Sequence, residues 1–240
     1  APVEATPSPT PIPAPTPTLL PTPTPTPLPI QLKGLEGITL RKIRVSVEQS
    51  YPQIEEEFTQ PIEETTSRIL ESMGIATCEQ GELCDASLNI VLAIEARQGL
   101  YTGGMSCYTG ANAEGQMTLD IPDYEPLNIS IQGRKYPSFS IISCPKEPSD
   151  APFSIAWVEA LLNGLYEVWS IQVLMSALQD QDAKVNFTAL QILKDIGPSA
   201  IKAVPALVEI LNNDCIDHGS YAAHAIGAIK PQDEEVVQAL

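Results

Sequence analysis

The feature that most narrows what this chain can become is a self-match at an offset of 33 residues across its last seventy. Leu174 falls on Leu207 and Leu240, Leu178 on Leu211, Ala189 on Ala222, Ile196 on Ile229 and Pro198 on Pro231. Conservative exchanges fill the gaps, such as Ile171 for Val204, Met175 for Val208 and Leu193 for Ile226. A period of this length marks supersecondary units that stack, because one unit cannot bury its own apolar face.

Inside a unit, Ile171, Leu174 and Leu178 space as a short first helix. Asp182 is placed to cap the second helix, along which Val185, Ala189, Leu193 and Ile196 form one stripe. Gly197-Pro198 stops it, since glycine tolerates a left-handed end and proline cannot continue the ladder. The run Ala189-Leu190-Gln191-Ile192-Leu193-Lys194-Asp195-Ile196-Gly197-Pro198, followed by Ala203-Val204-Pro205-Ala206-Leu207, resembles the short HEAT repeats of bacterial proteins, including phycobilisome-lyase-type ones. Ankyrin shares the period, but its Thr-Pro-Leu-His signature is absent. The resemblance implies an α-solenoid of helix pairs over residues 170–240, about two units and the start of a third, that recognises another protein. Exposed positions on the second helices, Gln191, Lys194, Tyr221 and His224, are the candidate partner-binding residues. Two departures stand out: His218 replaces Val185 and Lys230 replaces Gly197, which leaves the second helix end open.

Residues 36–169 read as a small α+β domain of order β-α-β-β-β-α with an antiparallel sheet. Ile43, Val45 and Val47 alternate as a half-buried strand. Ile62, Ile69, Leu70 and Met73 follow at helical spacing, with Gly74 as a left-handed stop. Leu88 to Ile94, Met117 to Ile121 and Leu127 to Ile131 predict three more strands, with turns at Tyr101–Gly104 and Pro122–Pro126. Phe153, Trp157, Leu161, Leu165 and Val168 then predict a closing helix. It runs almost directly into Ser170, so it is expected to cap the repeats and join the two parts rigidly. The strand and helix order is similar to that of several bacterial envelope lipoprotein domains.

Residues 1–35 alternate proline with threonine, and 12 of the 23 prolines fall within the first 30 positions. Proline fixes φ and removes a donor, so this stretch is expected to be an extended, disordered spacer. A stalk is the reading favoured over an idle tail or a ligand for a proline-binding module. Cys78 and Cys84 flank a five-residue loop, and Cys107 and Cys144 lie on strands joined by a turn. Two local pairs suggest disulfides and an oxidising compartment, so the protein is expected in the cell envelope or outside the cell. Residue 1 is alanine, and a lipid or membrane anchor is expected upstream.

The net charge of −17 is spread as −1 over residues 1–30, −11 over 31–168 and −5 beyond. No part is basic, which disfavours nucleic acid, and no apolar run is long enough to span a bilayer. No histidine precedes residue 218, removing the usual general base from the first domain. Gly99–Gly110 lacks a phosphate-loop ending. Asp120, Asp123 and Glu125 match no calcium loop and read as a solvated tip. Glu63-Glu64 reads as a helix N-terminus. Cys215, His218 and His224 are soft ligands, but 218 and 224 point to opposite helix faces. No cofactor or metal is therefore expected. The leading reading is a non-catalytic interaction module. Alternatives are an enzyme, either bilin-lyase-like or a carboxylate-based hydrolase, and a purely structural envelope lipoprotein.

Overall fold

The computed structural model describes residues 32, 37–50, 59–79, 81–100, 106–135, 152–213 and 217–231. The chain runs β1 (Lys42–Ser50), α1 (Thr59–Ser72), β2 (Ala76–Thr77), β3 (Ala86–Leu100), β4 (Ser106–Asp120), β5 (Leu127–Lys135) and α2 (Pro152–Trp169). It continues as α3 (Ile171–Ala177), α4 (Ala183–Ile196), a 3-10 stretch Gly197–Ala203, α5 (Val204–Asn213) and α6 (Asp217–Ile229).

The five strands form one sheet in the order β2-β1-β3-β4-β5. The expected antiparallel sheet is a mixed one. β3, β4 and β5 form an antiparallel meander, with Met117 opposite both Ile90 and Ile129. β1, however, runs parallel to β2 and to β3. Helix α1 causes this: it carries the chain back along the sheet, so the next strand starts at the same end as β1. β2, only two residues long, was not anticipated because so short a run has no readable period.

Side-chain alternation follows the pleat. Leu88, Ile90, Leu92 and Ile94 are buried, as are Ala111, Ala113, Met117 and Leu119 opposite them. The neighbouring positions, Asn89, Val91, Glu95, Glu114, Gln116 and Asp120, face solvent. Helices α1 and α2 pack on the apolar face and on each other. Gly74 ends α1 with φ of 88°, as its left-handed capacity predicts. Glu63 and Glu64 lie one turn further in than expected, and no acid occupies the first turn of α1.

Helix α2 sits unusually close to the sheet. A Cβ on Gly133 of β5 would overlap the backbone of Ala156 and Ala160, and one on Gly164 would overlap Ile131 and Met117. Small residues on both sides let the backbones meet. The same helix saturates part of the free edge of β5. The Arg134 amide donates to Glu159 Oε2 at 3.0 Å, and Asn163 Nδ2 donates to the Gln132 carbonyl at 3.0 Å. Such coverage protects an edge strand from pairing with other chains. Buried residues form one cluster running from Ile43 in the sheet through Trp157, Leu161 and Leu165 to Leu193 and Ile226.

Candidate functional site

The C-terminal helices are held in place by end signals readable in the sequence. Asp182 has extended backbone angles, and its side chain accepts from the Lys184 amide at 2.9 Å. Gly197 ends α4 at φ 63° and ψ −134°, its amide bonded to the Leu193 carbonyl. Lys230 at the equivalent end of α6 keeps the same geometry, with φ of 54° and its amide bonded to the Ile226 carbonyl at 3.0 Å. Loss of the glycine therefore did not change the stop. Ser170 repeats it at the end of α2, with φ 56° and ψ −147° and a 2.7 Å bond to the Tyr166 carbonyl.

Three helices, α2, α4 and α6, thus end alike, and they pack side by side, α2 against α4 and α4 against α6. Helix α2 stands where the second helix of a preceding unit would be. Asn186, which the sequence reading passed over, ties the turn between α3 and α4. Its Nδ2 donates to the carbonyls of Leu178 and Asp180 at 2.8 and 2.9 Å, satisfying helix-end acceptors. Its position after the Asp182 cap was a visible cue, but polar residues one turn into a helix are too common to single out.

The predicted partner-facing residues occupy two adjacent helices. Gln191 is half-buried on α4, Lys194 is exposed on the same helix, and Tyr221 and His224 are exposed on α6. Phe187 of α4 and Tyr221 of α6 meet edge to face, ring centroids 4.8 Å apart and planes at 89°. This contact fixes the α4 row against the α6 row and leaves Tyr221 37% exposed. Counted back from the shared stops, the position in α2 equivalent to Gln191 and His224 is Gly164, buried against Ile131 and Met117 of the sheet. At this position α2 gives its face to the sheet, where α4 and α6 carry polar side chains.

At the far end of the sheet, Cys78 and Cys84 stand at disulfide distance with Cα atoms 6.3 Å apart. The loop between them holds Glu82, whose carboxylate meets Lys42 Nζ at 3.2 Å and whose carbonyl accepts from Arg44 at 2.8 Å. The Lys42 hydrogen bond and charge hold the Glu82 carboxyl below its usual pKa. Asp85 Oδ2 accepts from the amides of Arg41 and Lys42 at 2.7 and 2.9 Å. Those two backbone donors lower its pKa as well. In Cys107 only the backbone is described, opposite Gly99, and Cys144 lies outside the described residues, as do Cys215 and the expected turn at 101–104.

Two shallow grooves are open at the described surface. One, of about 440 Å³, is lined by α1 residues including Glu63, Glu64 and Arg68, with Gln181. The other, of about 280 Å³, is lined by Arg44, Leu83, Asp120 and Pro122 among others. Neither brings a histidine to a serine or cysteine. Among the described residues no cluster of three metal-ligating side chains occurs, and no helix is long and apolar enough to cross a membrane.

Residues 171–240, which hold helices α3 to α6, match the family of HEAT repeats. HEAT repeats are protein-interaction modules. Among solved structures, a minor lipoprotein from Acinetobacter baumannii, known from a 2.35 Å crystal structure, is similar at 11% identity. The match covers 43% of this chain and 71% of that one with a TM-score of 0.26, too low to speak to fold or function. Among curated proteins none matches.

Proposed function

We propose that this protein is a non-catalytic interaction module outside the cytoplasmic membrane, in which the HEAT helices hold a protein partner. The single observation that carries the reading is the row on α4 and α6, where Gln191, Lys194, Tyr221 and His224 lie on neighbouring helices joined through Phe187. Solenoid surfaces recognise partners through such rows rather than through one deep pocket. Tyr221 is suited to anchor the contact, since aromatic residues carry much of the energy at interfaces.

The organisation that goes with this reading is a Pro/Thr spacer at 1–35, an α+β domain at 36–169 and a short α-solenoid at 170–240. The Cys78–Cys84 pair supports an oxidising address. The test is site-specific photocrosslinking in intact envelopes of the source cell. A crosslinker at Gln191 or His224 is expected to trap one discrete protein, and Tyr221→Ala is expected to abolish the product while the helical circular dichroism signal stays unchanged. Equal trapping from a control position on the open sheet face, such as Gln116, would sink the assignment.

A further inference from the structure

The loop between β2 and β3 is held from several directions, yet it carries its leucine in solvent. Cys78 and Cys84 close it, the Glu82 carboxylate meets Lys42 Nζ, and the Glu82 carbonyl accepts from Arg44. At its two ends, the Cys78 amide donates to the Ile43 carbonyl and the Asp85 amide to the Lys42 carbonyl, both at 2.9 Å. Leu83 makes none of these bonds and is 97% exposed. Single exposed leucines are ordinary. One held out by a braced loop is preorganised for contact, because little freedom is left to lose on binding.

Across a groove of about 280 Å³ stands the turn between β4 and β5, which reaches the groove with Pro122. This turn is fixed as well: the Tyr124 amide donates to the Ile121 carbonyl at 3.1 Å, and Asp123 holds φ of 69°. It leaves Tyr124 51% exposed. The volume falls below the about 300–1,000 Å³ of small-molecule sites and suits one or two side chains of a protein. The rim sets their charge. Lys42 and Arg44 are taken up by Glu82, which leaves Arg41 against the exposed carboxylates of Asp120, Asp123 and Glu125. None of those three carboxylates meets a cation among the described residues. We propose that this end of the sheet docks a cationic segment of another protein, which seats one apolar side chain between Leu83 and Pro122. Lysine or arginine beside that side chain then faces the acidic rim, which disfavours an anionic lipid surface in the same place. This docking is separate from the row on α4 and α6 and does not rest on it.

Titration of the isotope-labelled full chain with two peptides tests the proposal, one with a leucine flanked by lysines and one with the same leucine flanked by glutamates. The lysine peptide is expected to shift amide resonances of residues 81–87 and 120–125, and the glutamate peptide to leave them in place. Leu83→Ser is expected to weaken the lysine peptide at least about tenfold, with the fold undisturbed because that side chain lies almost wholly in solvent. Asp123→Asn keeps a residue that tolerates the left-handed turn. It is expected to weaken the same peptide about twofold to threefold, a loss erased in about 0.5 M salt. Equal binding of both peptides, shifts confined to other surfaces, or full affinity in Leu83→Ser overturns the proposal. So do peptide-free shifts at these residues that grow with protein concentration, which would assign the groove to a second copy.

Discussion

Arg68 of α1 and Asp180 of the turn between α3 and α4 form a two-point ion pair across 112 residues of sequence. Arg68 Nε meets Asp180 Oδ2 and Arg68 Nη2 meets Asp180 Oδ1, both at 3.2 Å. The Asp180 side chain is 4% exposed, and Oδ1 also accepts the Asp182 amide at 2.8 Å. The pair pins the helix of the sheet domain to the turn that starts the HEAT helix α4. A hydroxyl contact between Ser72 and Ser176 lies on the same seam.

Replacing Arg68 by alanine strands a mostly buried carboxylate. Loss of a charged hydrogen-bond partner in such a site is expected to cost about 2 kcal/mol. A double-mutant cycle with Asp180→Ala, read by urea denaturation, should return a coupling of about 1–2 kcal/mol. Additive single effects would show that the pair does not join the two parts.

Lys230 holds φ of 54° without being glycine. A left-handed conformation costs an ordinary L-residue about 1 kcal/mol, so Lys230→Gly is expected to raise the midpoint of thermal unfolding. Gly197→Ala at the equivalent stop is expected to lower it. Opposite signs at the two positions check that the repeats share one helix-end geometry.

The seat of α2 on the sheet depends on Gly133. Its missing Cβ lies where the Ala156 carbonyl approaches, and backbone cannot yield as a flexible side chain does. Gly133→Ala is therefore expected to destabilise by about 2 kcal/mol or more through overpacking. Chemical denaturation measures this, and a neutral result would mean that α2 can stand off from β5.

Asp85 sets an acid dependence. Its folded-state pKa is lowered by the amides of Arg41 and Lys42, so the unfolded chain binds its proton at a higher pH. Stability from this group is fully present above the ordinary aspartate pKa of about 3.9 and is lost as pH falls through the depressed value. Asp85→Asn should lower stability at neutral pH by about 1 kcal/mol, a modest figure because the site is solvent-screened. It should also flatten the acid limb of the stability profile. Parallel limbs for the two proteins would place the depressed carboxylate elsewhere.

How much of this was legible depends on the range of the interactions. Asp182, Gly197 and Pro198 declare helix ends because their effects reach only three or four residues. The alternation at Ile43, Val45 and Val47 and the stripe at Trp157, Leu161 and Leu165 show which side will be buried for the same reason. The parallel pairing of β1 with β3 was not legible, because strand direction depends on where α1 returns the chain. Of the candidate site, the individual residues were legible from the repeat offset. Their meeting was not, since Phe187 touches Tyr221 only once α4 and α6 are laid together.

The sequence by itself determined the helix pairs, their stops and the faces they bury, all consequences of local stereochemistry and a repeating apolar pattern. Only the tertiary structure decided that β1 runs parallel to β3, that α2 serves sheet and repeats at once, and that Arg68 finds Asp180. Those outcomes depend on which distant surfaces come together, where side-chain shape and desolvation are settled between partners that no single stretch of chain contains.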